Sequence, residues 1–174
     1  MAVIRHFDAS SDERAAYLKM RRAMAGLADD AEMEVDEDAD ANATIAPDRY
    51  AAMSAAEDLI LTITESGAGK LSSSHDYPVR GRGGMGVSAQ DKAARGGAIV
   101  SAFPVDMDDQ IMLATSTGQS IRVPVDGISF RSRSAGGVRV FHTRPGEKVV
   151  SIARVADSSE AAIPSEGDEP EAGS

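Results

Sequence analysis

A chain of 174 residues with 28 acids against 18 bases carries a formal net charge of −10, no cysteine and few aromatic residues. The missing thiol excludes disulfides and thiolate metal sites, and no run approaches the 18 apolar residues of a spanning helix. Met1 to Phe7 lacks the basic region and apolar core of a signal peptide, so a soluble, cytoplasmic protein without a membrane partner is expected. The charge changes sign by segment. Residues 1–56 hold 12 acids and 6 bases, and residues 156–174 hold 6 acids and no base, whereas residues 57–155 hold 10 acids against 12 bases. The acidity belongs to the flanks, and nucleic acid is not excluded as a partner of the middle.

Taken in order, Met1 to Arg5 reads either as the closing strand of a preceding repeat or as a disordered initiator segment. Ser10 and Glu13 have capping-box spacing. Tyr17, Met20 and Met24 then share one helical face, and Gly26 is placed to stop the helix. Arg14, Lys19, Arg21 and Arg22 lie mostly around the other face, which suits either a contact with DNA or a neighbouring domain, or a solvated surface. Residues 1–26 thus form a strand remnant and a helix. Residues 27–56 read as an acidic flexible loop, because 27–46 is nearly all Ala, Asp and Glu and buries too little apolar surface to fold. Within it Asp36, Asp38 and Asp40 imitate a calcium loop, but Ala41 and Pro47 stand where Gly and Glu are needed. Pro47 to Met53 predicts one helical turn.

Residues 57–155 repeat themselves. Adding 51 carries Asp58 onto Asp109, Ile60 onto Ile111, Thr64 onto Thr115, Gly67 onto Gly118, Arg80 onto Arg131, Arg82 onto Arg133, Gly86 onto Gly137 and Val87 onto Val138. Beyond the glycine the register slips by one, so that Val100-Ser101 precedes Val150-Ser151 by 50. A period near 50 with short strands predicts an all-β, propeller-like blade repeat, one blade over 57–105 and another over 106–155. Each reads as four strands. Leu59 to Thr64 and Gln110 to Thr115 come first, and Ser120 to Val125 alternates as a half-buried second strand. Val87 to Gln90 and Val138 to Phe141 form the third, and Ile99 to Val105 and Val149 to Val155 the fourth. Residues 156–174 read as an acidic disordered tail, able either to compete with phosphate for the arginines or merely to solvate.

Several motifs imitate chemistry and fail. Gly81 to Gly86 satisfies G-x-G-x-x-G by letter, but no helix follows to face a pyrophosphate. Gly67-Ala68-Gly69-Lys70 resembles the end of a phosphate loop, yet Thr64 stands at its first glycine and Leu71 at its Ser/Thr position. Asp106, Asp108 and Asp109 suit an acidic turn better than a metal, and His6, His75 and His142 lack ligand spacing. No catalytic set stands out. What repeats is Arg-x-Arg followed by Gly-Val. Glycine lets a turn take positive φ and another backbone approach closely, and guanidinium suits bidentate phosphate contact. Rim arginines that only solubilise or pair with acids are the alternative.

The segments DLILTITESGAGKLSSSHDYPVRGRGGMGV and DQIMLATSTGQSIRVPVDGISFRSRSAGGVRVF, with GEKVVSIARV closing the second, resemble the final two blades of the C-terminal domain of the DNA gyrase A subunit. The resemblance covers 57–155 and extends to Val3–Met24, which is similar to a helical insertion in some members. It implies part of a six-bladed β-pinwheel that wraps double-stranded DNA on its basic rim, in the nucleoid, beside the rest of the A subunit, with the B subunit. ATP and magnesium would belong to that parent complex and not to this chain. Two blades stand here in place of six, without a cleavage domain or the glutamine-arginine-rich box, so this chain is not expected to cleave or supercoil DNA alone. The paralogous topoisomerase IV has similar blades in its own A-type subunit, and a β-repeat that binds protein in place of DNA is a reading of another class. The phosphate contacts expected are Arg80, Arg82, Arg131 and Arg133, with Lys70, Arg95, Arg122 and Arg139 as weaker candidates.

Overall fold

The computed structural model describes residues 3–25, 43–84, 86–90 and 96–155. Most of the acidic loop, with Gly26 and the aspartates of the calcium imitation, lies outside them, as do Arg95 and the tail from 156. Among the described residues seven strands form two antiparallel sheets: β1 (Leu59–Thr64), β2 (Ala68–Ser73), β3 (Ile99–Val105), β4 (Gln110–Thr115), β5 (Ser120–Pro124), β6 (Val138–Arg139) and β7 (Val149–Val155). The first sheet runs β3-β1-β2-β6 and the second β5-β4-β7. The repeat frame is visible in the pairing. Leu59 faces Val105 as Gln110 faces Val155, and the two ladders break at equivalent points, Ile63/Thr64 and Ala114/Thr115. Gly67 and Gly118 close equivalent hairpins at φ of +77° and +85°, a region that a Cβ disfavours.

The third strand corrects the sequence reading. Val87 to Gln90 belongs to no strand. Val138–Arg139 does form one, but it lies in the other repeat's sheet, with Arg139 opposite Ala68 and Val138 opposite Gly69. The amides of Val140 and Phe141 extend this junction by donating to the Gly67 carbonyl at 2.9 and 3.1 Å. Nearby, the Leu71 amide donates to Ser129 at 3.0 Å and the Arg131 amide donates to Leu71 at 2.7 Å. The reason is backbone accounting. A buried strand must pair its outer N–H and C=O groups, and the outer edge of β2 is filled only when the second repeat arrives. A repeat therefore completes its neighbour's sheet and not its own.

Alternation along the strands builds one core across both sheets, from Leu61, Ile63, Leu71, Val105, Ile111, Leu113, Val125, Ile128 and Val149. At about 1.5–3 kcal/mol for each fully buried aliphatic side chain, this cluster is the main force joining the repeats. The Glu65 carbonyl, which accepts from the Val149 amide at 2.8 Å, ties the sheets together at one end.

Two helices, α1 (Ser11–Met24) and α2 (Pro47–Ala55), dock on the first repeat. The capping box forms as expected: Ser10 Oγ accepts from the Glu13 amide, and the Glu13 carboxylate accepts from the Ser10 amide. The buried face differs from the expected one. Ala15, Ala16, Tyr17 and Leu18 are buried, while Met20 and Met24 are exposed. Tyr17, Leu18 and Met53 form a second core with Phe7, Ala9, Ile45 and Tyr50 around it. His75 fastens this unit to the blade, its Nε2 lying 2.8 Å from the Met53 carbonyl and its ring edge-on to Tyr17 at 5.0 Å. The chain start is no strand over residues 3–5; Arg5 instead donates through its amide and Nε to the Asp58 carboxylate, both at 2.8 Å. Among the described residues no helix is long and apolar enough to cross a membrane.

The turn into β7 is organised by Glu147, a buried carboxylate. Hydroxyls of Thr115 and Thr117 and the Arg144 amide donate to it, which pulls its pKa from 4.5 to about 2. A carboxyl whose pKa is lower folded than unfolded contributes stability above about 4.5 and loses it as pH falls toward 2. Acid unfolding should therefore show a steeper slope in that window than Glu147→Gln does, the Glu13 and Asp58 carboxylates, also held low, supplying what remains. Parallel pH profiles of the two proteins in urea melts would contradict the assignment.

Candidate nucleic-acid interface

The Arg-x-Arg turn of the second repeat is built from the inside. Lys70 is fully buried on β2, and its ammonium donates to the carbonyls of Ser132 (2.9 Å), Arg133 and Ala135 (2.5 Å). Burial pushes its pKa down to about 8. Arg133 is also interior: its amide donates to the Asp76 carboxylate at 2.6 Å, its Nε to the Asp76 carbonyl at 2.9 Å, and its Nη1 to the Ser88 carbonyl. Burial raises the Asp76 pKa, against the pull of Arg133. Two of the eight expected phosphate contacts are thus placed where they hold a turn together. A Lys between Gly69 and Leu71 and an Arg between two serines carry no local sign of this, because their partners lie 45 to 65 residues away.

The other candidates sit differently. Arg80 and Arg82 are exposed, on a loop whose Gly81, Gly83, Gly84 and Gly86 are exposed as well. Positions for a Cβ on Gly81, Gly83 and Gly86 have nothing within 4 Å, so the backbone amides there are approachable from outside. Arg131 is half-buried. Arg122 is exposed on β5, where Ile121 and Val123 point inward, and Arg139 is exposed on β6 with Nη1 at 3.4 Å from His142 Nδ1. Arg95 lies outside the described residues. Sequence reading passed over Arg144, which is exposed beside Pro145 and Gly146; a basic residue on a Pro-Gly turn was the available signal.

Acids neutralise the remaining basic side chains that look relevant. Lys148 pairs with Glu65 at 2.8 Å, within a cleft of about 520 Å³ that Ser66, Gly97 and Arg144 also line. Arg154 spans Asp106 and Asp109 at 2.7 and 2.6 Å, and no group of three acids or histidines among the described residues is arranged to hold a metal. On α1, Arg21 turns toward the blades, pairing with Glu57 at 3.2 Å and lying 4.8 Å over the Phe130 ring.

Strand exchange between two short antiparallel sheets, with a basic glycine-bearing turn at the junction, defines the class: a blade-repeat β domain of the propeller type. The chain belongs to the family of the DNA gyrase C-terminal domain, β-propeller, whose model matches residues 58–106 and 109–156. Among relatives, the DNA gyrase A subunit of Granulibacter bethesdensis is 40% identical over 168 residues, covering 91% of this chain and 18% of its own length. That of Rickettsia felis is 34% identical over 161 residues, covering 92% and 17%. The chain therefore spans less than a fifth of the relatives it matches. Solved structures agree on the fold. A DNA gyrase A C-terminal domain superposes with a TM-score of 0.52 at 24% identity, over 56% of this chain and 33% of its own. The C-terminal domain of DNA topoisomerase IV gives 0.52 at 22%, over 58% and 32%.

Proposed function

We propose that this chain is a DNA-binding and DNA-wrapping part of the A subunit of gyrase, a type IIA topoisomerase, and that it holds duplex phosphates on its rim. The observation that carries the reading is the exposed Arg80-Gly81-Arg82 loop, in frame with Arg131 in a domain of the gyrase family. Arg80, Arg82, Arg131, Arg122 and Arg139 make the contacts, with Arg144 added. Lys70 and Arg133 act by shaping the turn that carries Arg131. Guanidinium on a glycine loop meets phosphate without reading bases. Strand cleavage and ATP use belong to the rest of the A subunit, together with the B subunit, and the nucleoid is where the complex works. The equal TM-score of the topoisomerase IV domain favours that paralogue as the second reading.

The test is duplex binding across salt. Each phosphate contact contributes about 0.9 to the slope of log affinity against log salt. Arg80→Ala with Arg82→Ala should flatten that slope by about 1.8 and weaken unrelated duplexes equally. An unchanged slope and affinity in the double variant would remove the rim assignment, and binding by the parent that ignores salt would favour a protein partner.

A further inference from the structure

The turn that closes over Lys70 gathers more positive charge than its acid can balance. Lys70 is fully buried and Arg133 is 6% exposed, while Arg131 is half-buried beside them. The acid among them is Asp76, which accepts from the Arg133 amide at 2.6 Å and stands 3.8 Å from Arg133 Nε. The charges of Arg133, Lys70 and, from α1, Arg22 all act on this carboxylate. Lys70 gives its protons to three carbonyls, which solvate the ammonium but carry no net charge. Tyr77 adds no negative charge, since burial raises its pKa, and its hydroxyl lies 3.0 Å from Ser72 Oγ. Interior charge left unbalanced is costly. Burial pushes the Lys70 pKa down to about 8, with Arg133 and Arg131 adding to the push and Asp76 opposing it.

The same turn holds an idle donor. Ser132, between Arg131 and Arg133, is 8% exposed, and its Oγ has no hydrogen-bond partner among the described residues. Its carbonyl is engaged, by the Lys70 ammonium at 2.9 Å and the Ala135 amide at 3.2 Å, so the hydroxyl is what remains to offer. On β1, directly opposite Lys70, the fully buried Thr62 has its Oγ1 in the same state. The first repeat has no such arrangement. At the repeat offset of 51, Ser132 falls on Gly81, and Lys70 itself falls on Ile121.

We propose that the Arg131-Ser132-Arg133 turn is an anion seat, in which one phosphate group is held by the Arg131 guanidinium and the Ser132 hydroxyl and balances the buried charge of Lys70 and Arg133. The seat deepens the DNA reading and rests on it only for the source of the phosphate, because a duplex backbone and free phosphate offer the same chemistry. It also sets this turn apart from the Arg80–Arg82 loop. There a phosphate meets exposed guanidinium in water; here it relieves an imbalance in the interior. An anion near Lys70 favours the charged form, so binding near pH 8 takes up a proton, and the seat weakens as pH rises further.

The titration of Lys70, followed by NMR on the full chain with labelled lysine, tests this with inorganic phosphate as the probe at constant ionic strength. In the parent the midpoint should move up by about one pH unit, and the urea midpoint should rise with phosphate concentration. Ser132→Ala removes an unpaired hydroxyl, so it should fold as stably as the parent and lose both responses. Arg80→Ala with Arg82→Ala should keep them. If Ser132→Ala does not fold, Arg131→Gln, which keeps most of the side chain and drops its charge, serves in its place. Duplex at low salt then identifies the source. If it shifts the Lys70 titration as well, and Ser132→Ala lowers the salt slope by about 0.9, the phosphate is that of DNA. If inorganic phosphate alone shifts it, the seat takes a free anion. A titration that ignores phosphate and duplex alike, or that responds equally in folded Ser132→Ala, would overturn the proposal. Loss of the rim reading looks different: the Arg80 and Arg82 double variant would bind duplex as the parent does while Lys70 still answered to phosphate.

Discussion

Lys70→Met is expected to destabilise the folded chain by about 3 kcal/mol, although it preserves side-chain volume and adds no polar atom. The side chain spends its charge on three backbone carbonyls of the 132–135 turn. Methionine fills the space and donates nothing. Each buried carbonyl left without a donor costs about 1–3 kcal/mol, and relaxation of the turn toward water recovers part of that. The substitution also frees the backbone that carries Arg131, so duplex affinity should fall with stability even though Lys70 touches no solvent. Urea unfolding measures the first effect. A loss below about 1 kcal/mol would show that the turn holds itself. If stability falls while affinity of the remaining folded protein is unchanged, the link from Lys70 to the rim is broken.

Gly137→Ala should cost about 2–3 kcal/mol, more than the matching change at Gly86. The two glycines share a place in the repeat. At Gly137 a Cβ would stand 2.9–3.1 Å from the backbone nitrogen, carbon and oxygen of Gly69. Those atoms belong to a strand and cannot turn aside, so β6 must lift off β2, in the manner of overpacked cores. At Gly86 the surroundings are open and only φ, at +75°, opposes a side chain, a strain of about 1–2 kcal/mol. Thermal or urea melts of the two single variants decide the matter. Equal losses would mean that strand exchange contributes little, and the junction would cease to be the point at which the two repeats depend on each other.

How much of this was legible in the sequence depends on the range of the interaction. Leu59 to Thr64 and Gln110 to Thr115 are β-branched, apolar and closed by Gly67 and Gly118, and they form β1 and β4 with the expected bounds. The slip from 51 to 50 was visible, and it reappears as the registers of β3 and β7. The capping box was visible because its partners are three residues apart. The sheet to which Val138 belongs was not, since periodicity marks a strand but not its neighbour. Lys70 and Arg133 read as rim cations because charge usually implies solvent; only the fold brings Asp76 and the turn carbonyls around them. Tyr17 was correctly placed inside, but Met20 and Met24 face outward because α1 docks through its middle, on His75 and Met53, and not along its length.

The exchange of β6 into the first sheet also bears on heredity. A unit that finishes its predecessor and leaves its own edge for its successor can be copied in frame without inventing any contact. The new copy donates a strand backward and offers an edge forward, and each junction it makes is one the array already contains. Length can then drift by whole periods while side chains are tested one repeat at a time. A shift of one residue between Leu71 and Gly137 has no such latitude, because it would turn Val138 and Arg139 to opposite faces of β2.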